Sequence, residues 1–161
     1  RSPLKPGIYQ VRVAARDERS AILGSAMEWM VIPDLSKGRL SLSSLILGLG
    51  TVKQRSADGE QIQWSVDKRF AANSQFEFMT FIYNSTLNNL TAQVHVYKDG
   101  KSVLSIPAKN IEAAPEDLLR IPFKAKINLA GLQTGRYILE VTVQDRATNK
   151  TASQQSAFYI Q

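Results

Sequence analysis

Apolar and polar residues alternate with a period of two along most of this chain, the signature of strands with one buried face. The clearest case runs from Gly135 to Asp145, where Tyr137, Leu139, Val141 and Val143 alternate with Arg136, Glu140, Thr142 and Gln144. A polar turn over 146–150 follows, and residues 152–160 return as a second strand. Upstream, Arg39–Ser43 alternates and runs into the apolar Leu45, Ile46 and Leu47. Gln61–Val66 alternates after the turn pair Asp58-Gly59. The aromatic-rich Gln75–Tyr83 suits a central core strand. Thr91–Lys98 is expected to turn through Asp99-Gly100, a two-residue hairpin signal, into Lys101–Leu104. Phe123–Leu129 sets Phe123, Ala125, Ile127 and Leu129 against Lys124, Lys126 and Asn128. Only Pro115–Leu119 reads as helical, for one turn, with Pro in the first turn and acids behind it. This density of short strands predicts an all-β fold, an immunoglobulin-like antiparallel β-sandwich.

A second pattern lies over the first. Displaced by 128 positions, residues 4–32 align with 132–160 without a gap, with identities at Leu4, Gly7, Tyr9, Val13, Asp17, Ser25 and Ile32. The shared unit is a Gly-led, Tyr-bearing strand, a polar turn and a closing strand, which is how many such sandwiches end. Two endings imply two domains. Residues 1–32 are therefore expected to be the C-terminal hairpin of a preceding sandwich-like domain, 33–38 a linker, and 39–161 a sandwich of its own. The chain starts at Arg1 rather than Met, which also suggests a piece of a longer polypeptide. A two-stranded hairpin is marginal by itself. Its apolar side is therefore expected either to pack on 39–161, with Leu45–Leu47 and the aromatic strand as partners, or to be completed by strand exchange in a homodimer.

Composition removes several classes of function. There is no cysteine, so disulfides, zinc–thiolate sites and cysteine nucleophiles are excluded. The longest apolar run is far short of the roughly 18–20 residues of a membrane span. Net charge is +6, but it divides into +2 over residues 1–32 and +4 over 33–161, with no three consecutive basic residues. Nucleic-acid readers concentrate charge on one face, so no nucleic-acid partner is expected. Residues 1–4 show neither the basic nor the apolar region of a signal peptide.

Residues with potential chemistry each have a local explanation. Asp34-Leu35-Ser36-Lys37-Gly38 is one hydroxyl short of an Asp-x-Ser-x-Ser metal motif and reads as a linker. His95 is the only histidine, and it lies out of phase with Val94 and Val96, on the polar side of its strand. The carboxylate pairs Asp17-Glu18 and Glu116-Asp117 fall in a turn and a helical first turn, where acids serve local structure. Asn84, Asn89 and Asn149 begin glycosylation sequons and also fit Asn-rich loops. No cofactor or metal site is expected. Phe76 and Phe78 share one face of their strand, Phe81 and Tyr83 the other. One face must be core; the other, together with Leu45 and Leu47, is the candidate interaction surface, for a protein or for carbohydrate.

Residues 33–43, preceded by Gly7–Asp17, resemble the C-terminal region of bacterial von Willebrand factor A-related proteins, chiefly acidobacterial. Lys68–Ala71, Phe81–Asn84, Gly135–Tyr137 and Val141–Arg146 extend the likeness. The resemblance implies upstream domains in the same chain, export to the cell envelope or beyond, and no catalytic residue in this region. The expected function is that of a non-catalytic module for adhesion, protein interaction or scaffolding. The alternative is a carbohydrate-binding accessory module of a secreted enzyme.

Overall fold

The computed structural model describes residues 4–52, 61–65, 67–86, 89–112 and 120–161. Within them the chain is nearly all β, and it divides into two compact units, Arg1–Arg39 and Leu40–Gln161.

The first unit is an antiparallel ribbon of β1 (Gly7–Arg16) and β2 (Leu23–Ile32), paired from Gly7↔Ile32 to Arg16↔Leu23. Asp17 closes the turn. Its carboxylate accepts from the Arg19 amide at 2.8 Å and the Ser20 amide at 3.3 Å, while Ala21 takes a left-handed φ of 56°. At the other end the Tyr9 hydroxyl donates to the Lys5 carbonyl at 2.7 Å. The ribbon is one layer thick, and Ile8, Val13 and Leu23 are exposed. After it, Leu35–Lys37 forms a 3-10 turn capped by Asp34 and stopped by Gly38 at a φ of 60°.

Among the described residues the second unit holds ten strands in two sheets. The first sheet runs in the order β10 (Ile121–Asn128), β7 (Gln75–Tyr83), β4 (Ile46–Val52), β5 (Gln61–Trp64). The short β3 (Ser41–Leu42) lies along the same edge of β7 as β4. Ser43 bridges the break between them: its amide donates to the Phe81 carbonyl and its hydroxyl accepts from the Phe81 amide, both at 2.9 Å. The second sheet runs β6 (Arg69–Phe70), β12 (Lys150–Ile160), β11 (Gly135–Asp145), β8 (Leu90–Lys98), β9 (Lys101–Asn110). All its pairs are antiparallel except β6 with β12. The β8–β9 turn has the positive φ at both Asp99 (51°) and Gly100 (77°) that a two-residue hairpin demands.

The sheets pack face to face as a sandwich. Alternation decides which side chains meet: Phe76, Phe78, Thr80 and Ile82 point inward from β7, and Tyr137, Leu139, Val141 and Val143 from β11. Aromatic rings fill one end of the core. Phe76 stacks on Phe70 at 4.5 Å and meets Phe158 at 5.0 Å, and Phe158 stacks on Tyr137 at 5.5 Å. Burial of each such side chain contributes about 1.5–3 kcal/mol.

Several expectations change. Leu45 and Leu47 are core residues rather than an exposed patch; only Ile46 between them faces outward. The strand after Gly100 continues to Asn110, because β8 supplies a long partner edge. β6 has too little sequence to show alternation and is held by pairing with Tyr159 and Ile160. The Asp58-Gly59 turn and the helical turn at Pro115–Leu119 lie outside the described residues. Among the described residues no helix is long and apolar enough to cross a membrane.

Candidate recognition face

The strict alternation that builds the core also decides what stands on the outer surface of the five-stranded sheet. His95 and Tyr97 point outward from β8, Arg136, Ile138, Glu140 and Thr142 from β11, and Gln155 and Ala157 from β12. Pairing brings them into rows. Glu140 lies between His95 and Gln155, Ile138 between Tyr97 and Ala157, and Thr142 opposite Ser153.

Glu140 is the centre of this arrangement. Tyr97 donates its hydroxyl hydrogen to one carboxylate oxygen at 3.2 Å, and the Gln155 side-chain amide donates to the other at 2.5 Å. Desolvation raises the pKa of the Tyr97 hydroxyl, and the Glu140 charge and hydrogen bond add to the effect. The phenol is therefore held protonated, as a donor. One row further on, the hydroxyls of Thr142 and Ser153 share a hydrogen bond of 2.9 Å. Above the Tyr97–Glu140–Gln155 cluster, which spans two adjacent rows, the surface opens into a concavity of about 360 Å³. Ile138 and the Tyr97 ring form its apolar part, Arg136 and Glu140 supply opposite charges, and the Asp99-Gly100 turn walls one end.

The His95 ring lies against Tyr97 at 5.8 Å, and its buried Nδ1 has no hydrogen-bond partner among the described residues. Asp34 is used locally: it accepts from the Ser36 hydroxyl at 2.6 Å and amide at 3.1 Å and pairs with Lys37 at 3.4 Å. These bonds, the Ser36 hydroxyl foremost, hold its carboxyl below the usual range. Asp17 is likewise occupied by its turn, and Glu116-Asp117 lies outside the described residues. Asn84, Asn89 and Asn149 all have left-handed φ, between 54° and 67°, a conformation asparagine tolerates better than most residues. Among the described residues no three His, Asp or Glu side chains group as metal ligands.

The expected interaction surface needs correction. Phe76, Phe78, Leu45 and Leu47 lie in the core, because β7 and β4 turn these faces toward the opposite sheet. Phe81 and Tyr83 do stand on the outer side of β7, half-buried. The Arg120 guanidinium already covers the Phe81 ring, 4.4 Å from its centroid. Sequence reasoning missed the Tyr97–Glu140–Gln155 cluster. Alternation in β8 and β11 shows that these residues face outward, but only the strand register brings them together.

No family model matches the chain, and no curated protein matches it.

Proposed function

We propose that the chain is a non-catalytic, immunoglobulin-like sandwich module of an exported, multidomain bacterial protein, with an adhesion, protein-interaction or scaffolding role. Its recognition face is the outer surface of the five-stranded sheet around Tyr97 and Glu140. Three features support the immunoglobulin-like reading. A hairpin, β11–β12, closes the sheet; a short β6 runs parallel to the last strand; and the Tyr137 hydroxyl bonds back to the carbonyl of Gln133. The last is the tyrosine corner of such sandwiches. Export rests on the resemblance carried by residues 7–17 and 33–43 and extended by 68–71, 81–84, 135–137 and 141–146.

One observation carries the recognition reading: both oxygens of Glu140 are held by donors on neighbouring strands, inside a concavity. A carboxylate fixed in this way presents a rigid acceptor. Proton transfer favours the reverse, a group left open to the reacting atom.

A second reading, carbohydrate binding, is favoured by the same cleft, because it combines an aromatic ring with carboxylate, amide and guanidinium groups suited to hydroxyls. The test applies residues 40–161 to glycan arrays and to immobilised envelope proteins, with Tyr97→Ala and Glu140→Ala alongside. The expected result is a protein ligand whose binding falls at least tenfold in both variants at unchanged melting temperature. Glycan binding lost in the same variants selects the second reading. Binding untouched by either substitution moves recognition off this face.

A further inference from the structure

We infer that residues 4–32 are the closing hairpin of a preceding sandwich built like 40–161, so that strands N-terminal to it in the same polypeptide cover its apolar side and pair with β1. The ribbon β1–β2 and the hairpin β11–β12 agree in four details under one displacement of 128 residues. Their registers coincide, Gly7↔Ile32 corresponding to Gly135↔Ile160. Tyr9 bonds to the Lys5 carbonyl as Tyr137 bonds to that of Gln133. Asp17 accepts from the amides of Arg19 and Ser20 as Asp145 accepts from those of Ala147 and Thr148. Ala21 and Asn149 then take the same left-handed φ, 56° and 54°. Register alone could agree between any two hairpins. The tyrosine tied to its own upstream loop adds a side-chain match, and in residues 40–161 it stands where the strand enters the packed sandwich.

The sandwich shows what the ribbon lacks. Tyr137, Leu139, Val141 and Val143 are each at most 1% exposed, whereas Val11 and Val13, counterparts of Leu139 and Val141, are 43% and 60% exposed. The edge of β11 that faces away from β12 carries β8. Asp145 also receives the amide and hydroxyl of Thr86, from the segment before β8, each at 2.8 Å. No described segment holds Asp17 in that way.

In residues 40–161 the strand that corresponds to the missing one is already in use. Their β8 is already paired on both edges, by β11 and β9, and their inner faces already enclose one core. In the sandwich, β8 begins at Leu90, 45 residues before Gly135. The strand that pairs with β1 therefore begins 45 residues before Gly7, N-terminal to Arg1.

Amide hydrogen exchange tests this on 1–161 and on the encoded polypeptide extended N-terminally by about 100 residues, one domain length. In the extended polypeptide the β1 amides are expected to exchange at least tenfold more slowly than in 1–161. Equal exchange in the two proteins overturns the inference. So does a dimer of 1–161 by light scattering whose β1 amides are as protected as those of β11. The encoded sequence gives a test that needs no folded protein. Displaced by 128 residues from 90–98, it must show the same apolar alternation, and a polar or Pro-rich stretch there overturns the inference equally.

Discussion

The Tyr137 hydroxyl donates to the carbonyl of Gln133, four residues upstream, at 2.5 Å. The ring that carries it is 1% exposed and stacks on Phe158. The bond therefore ties the loop entering β11 to the centre of the core, and Leu129 at the end of β10 is joined to the same loop through the Leu132 amide at 3.1 Å.

Tyr137→Phe keeps the ring and removes that bond, leaving a carbonyl with one partner fewer. The expected loss of unfolding free energy for residues 40–161 is about 1–2 kcal/mol by urea titration, with the m-value unchanged. A loss under a few tenths would show that the hydroxyl is incidental to the entry of β11.

Asp145 predicts a pH dependence. The carboxylate is buried, and desolvation pushes its pKa up. The Thr86 amide and hydroxyl and the amides of Thr148 and Ala147 outweigh this and hold it below the ordinary value. A group with a depressed folded pKa contributes its full stability above the unfolded pKa, near 3.9, and loses it as pH falls through the folded one. Asp145→Asn is expected to cost about 1.5–3 kcal/mol at neutral pH. The gap to wild type narrows below about pH 4. A gap that stays constant from neutral pH to pH 3 would remove Asp145 as its source.

Phe76 packs between Phe70 and Phe158 with no exposed surface. Phe76→Ala opens a cavity in the one cluster that joins β6, β7 and β12. The expected cost is about 3–5 kcal/mol, while Phe81→Ala, on the outer side of the same strand, costs under about 1.5 kcal/mol. Equal costs would mean that β7 is turned the other way round.

The parts of this fold legible in sequence were those fixed locally. Period-two alternation places Leu139, Val141 and Val143 in the core without knowledge of their neighbours, and Asp99-Gly100 announces its own turn. The antiparallel pairing of 135–145 with a return strand was legible too, although that strand begins at Lys150 rather than at residue 152. Less visible were features that depend on distant chain. Two residues are too few for β6 to show a period, and it exists because β12 offers an edge. Leu45 and Leu47 read as an exposed patch because nothing nearby in sequence covers them; the cover comes from the opposite sheet. The Tyr97–Glu140–Gln155 cluster joins three strands that lie far apart in sequence, and its geometry is a property of register rather than of any motif.

Residues 40–161 are expected to form a self-contained sandwich organised around β11, the strand paired on one side by β12 and on the other by β8. The decisive experiment is native-state hydrogen exchange on residues 40–161 by themselves. The β11 amides from Tyr137 to Val143 are expected to exchange only through global unfolding, with an opening free energy equal to that from urea denaturation. Exchange of those amides through a lower-energy opening, or a protein that fails to unfold cooperatively without residues 1–39, would contradict it.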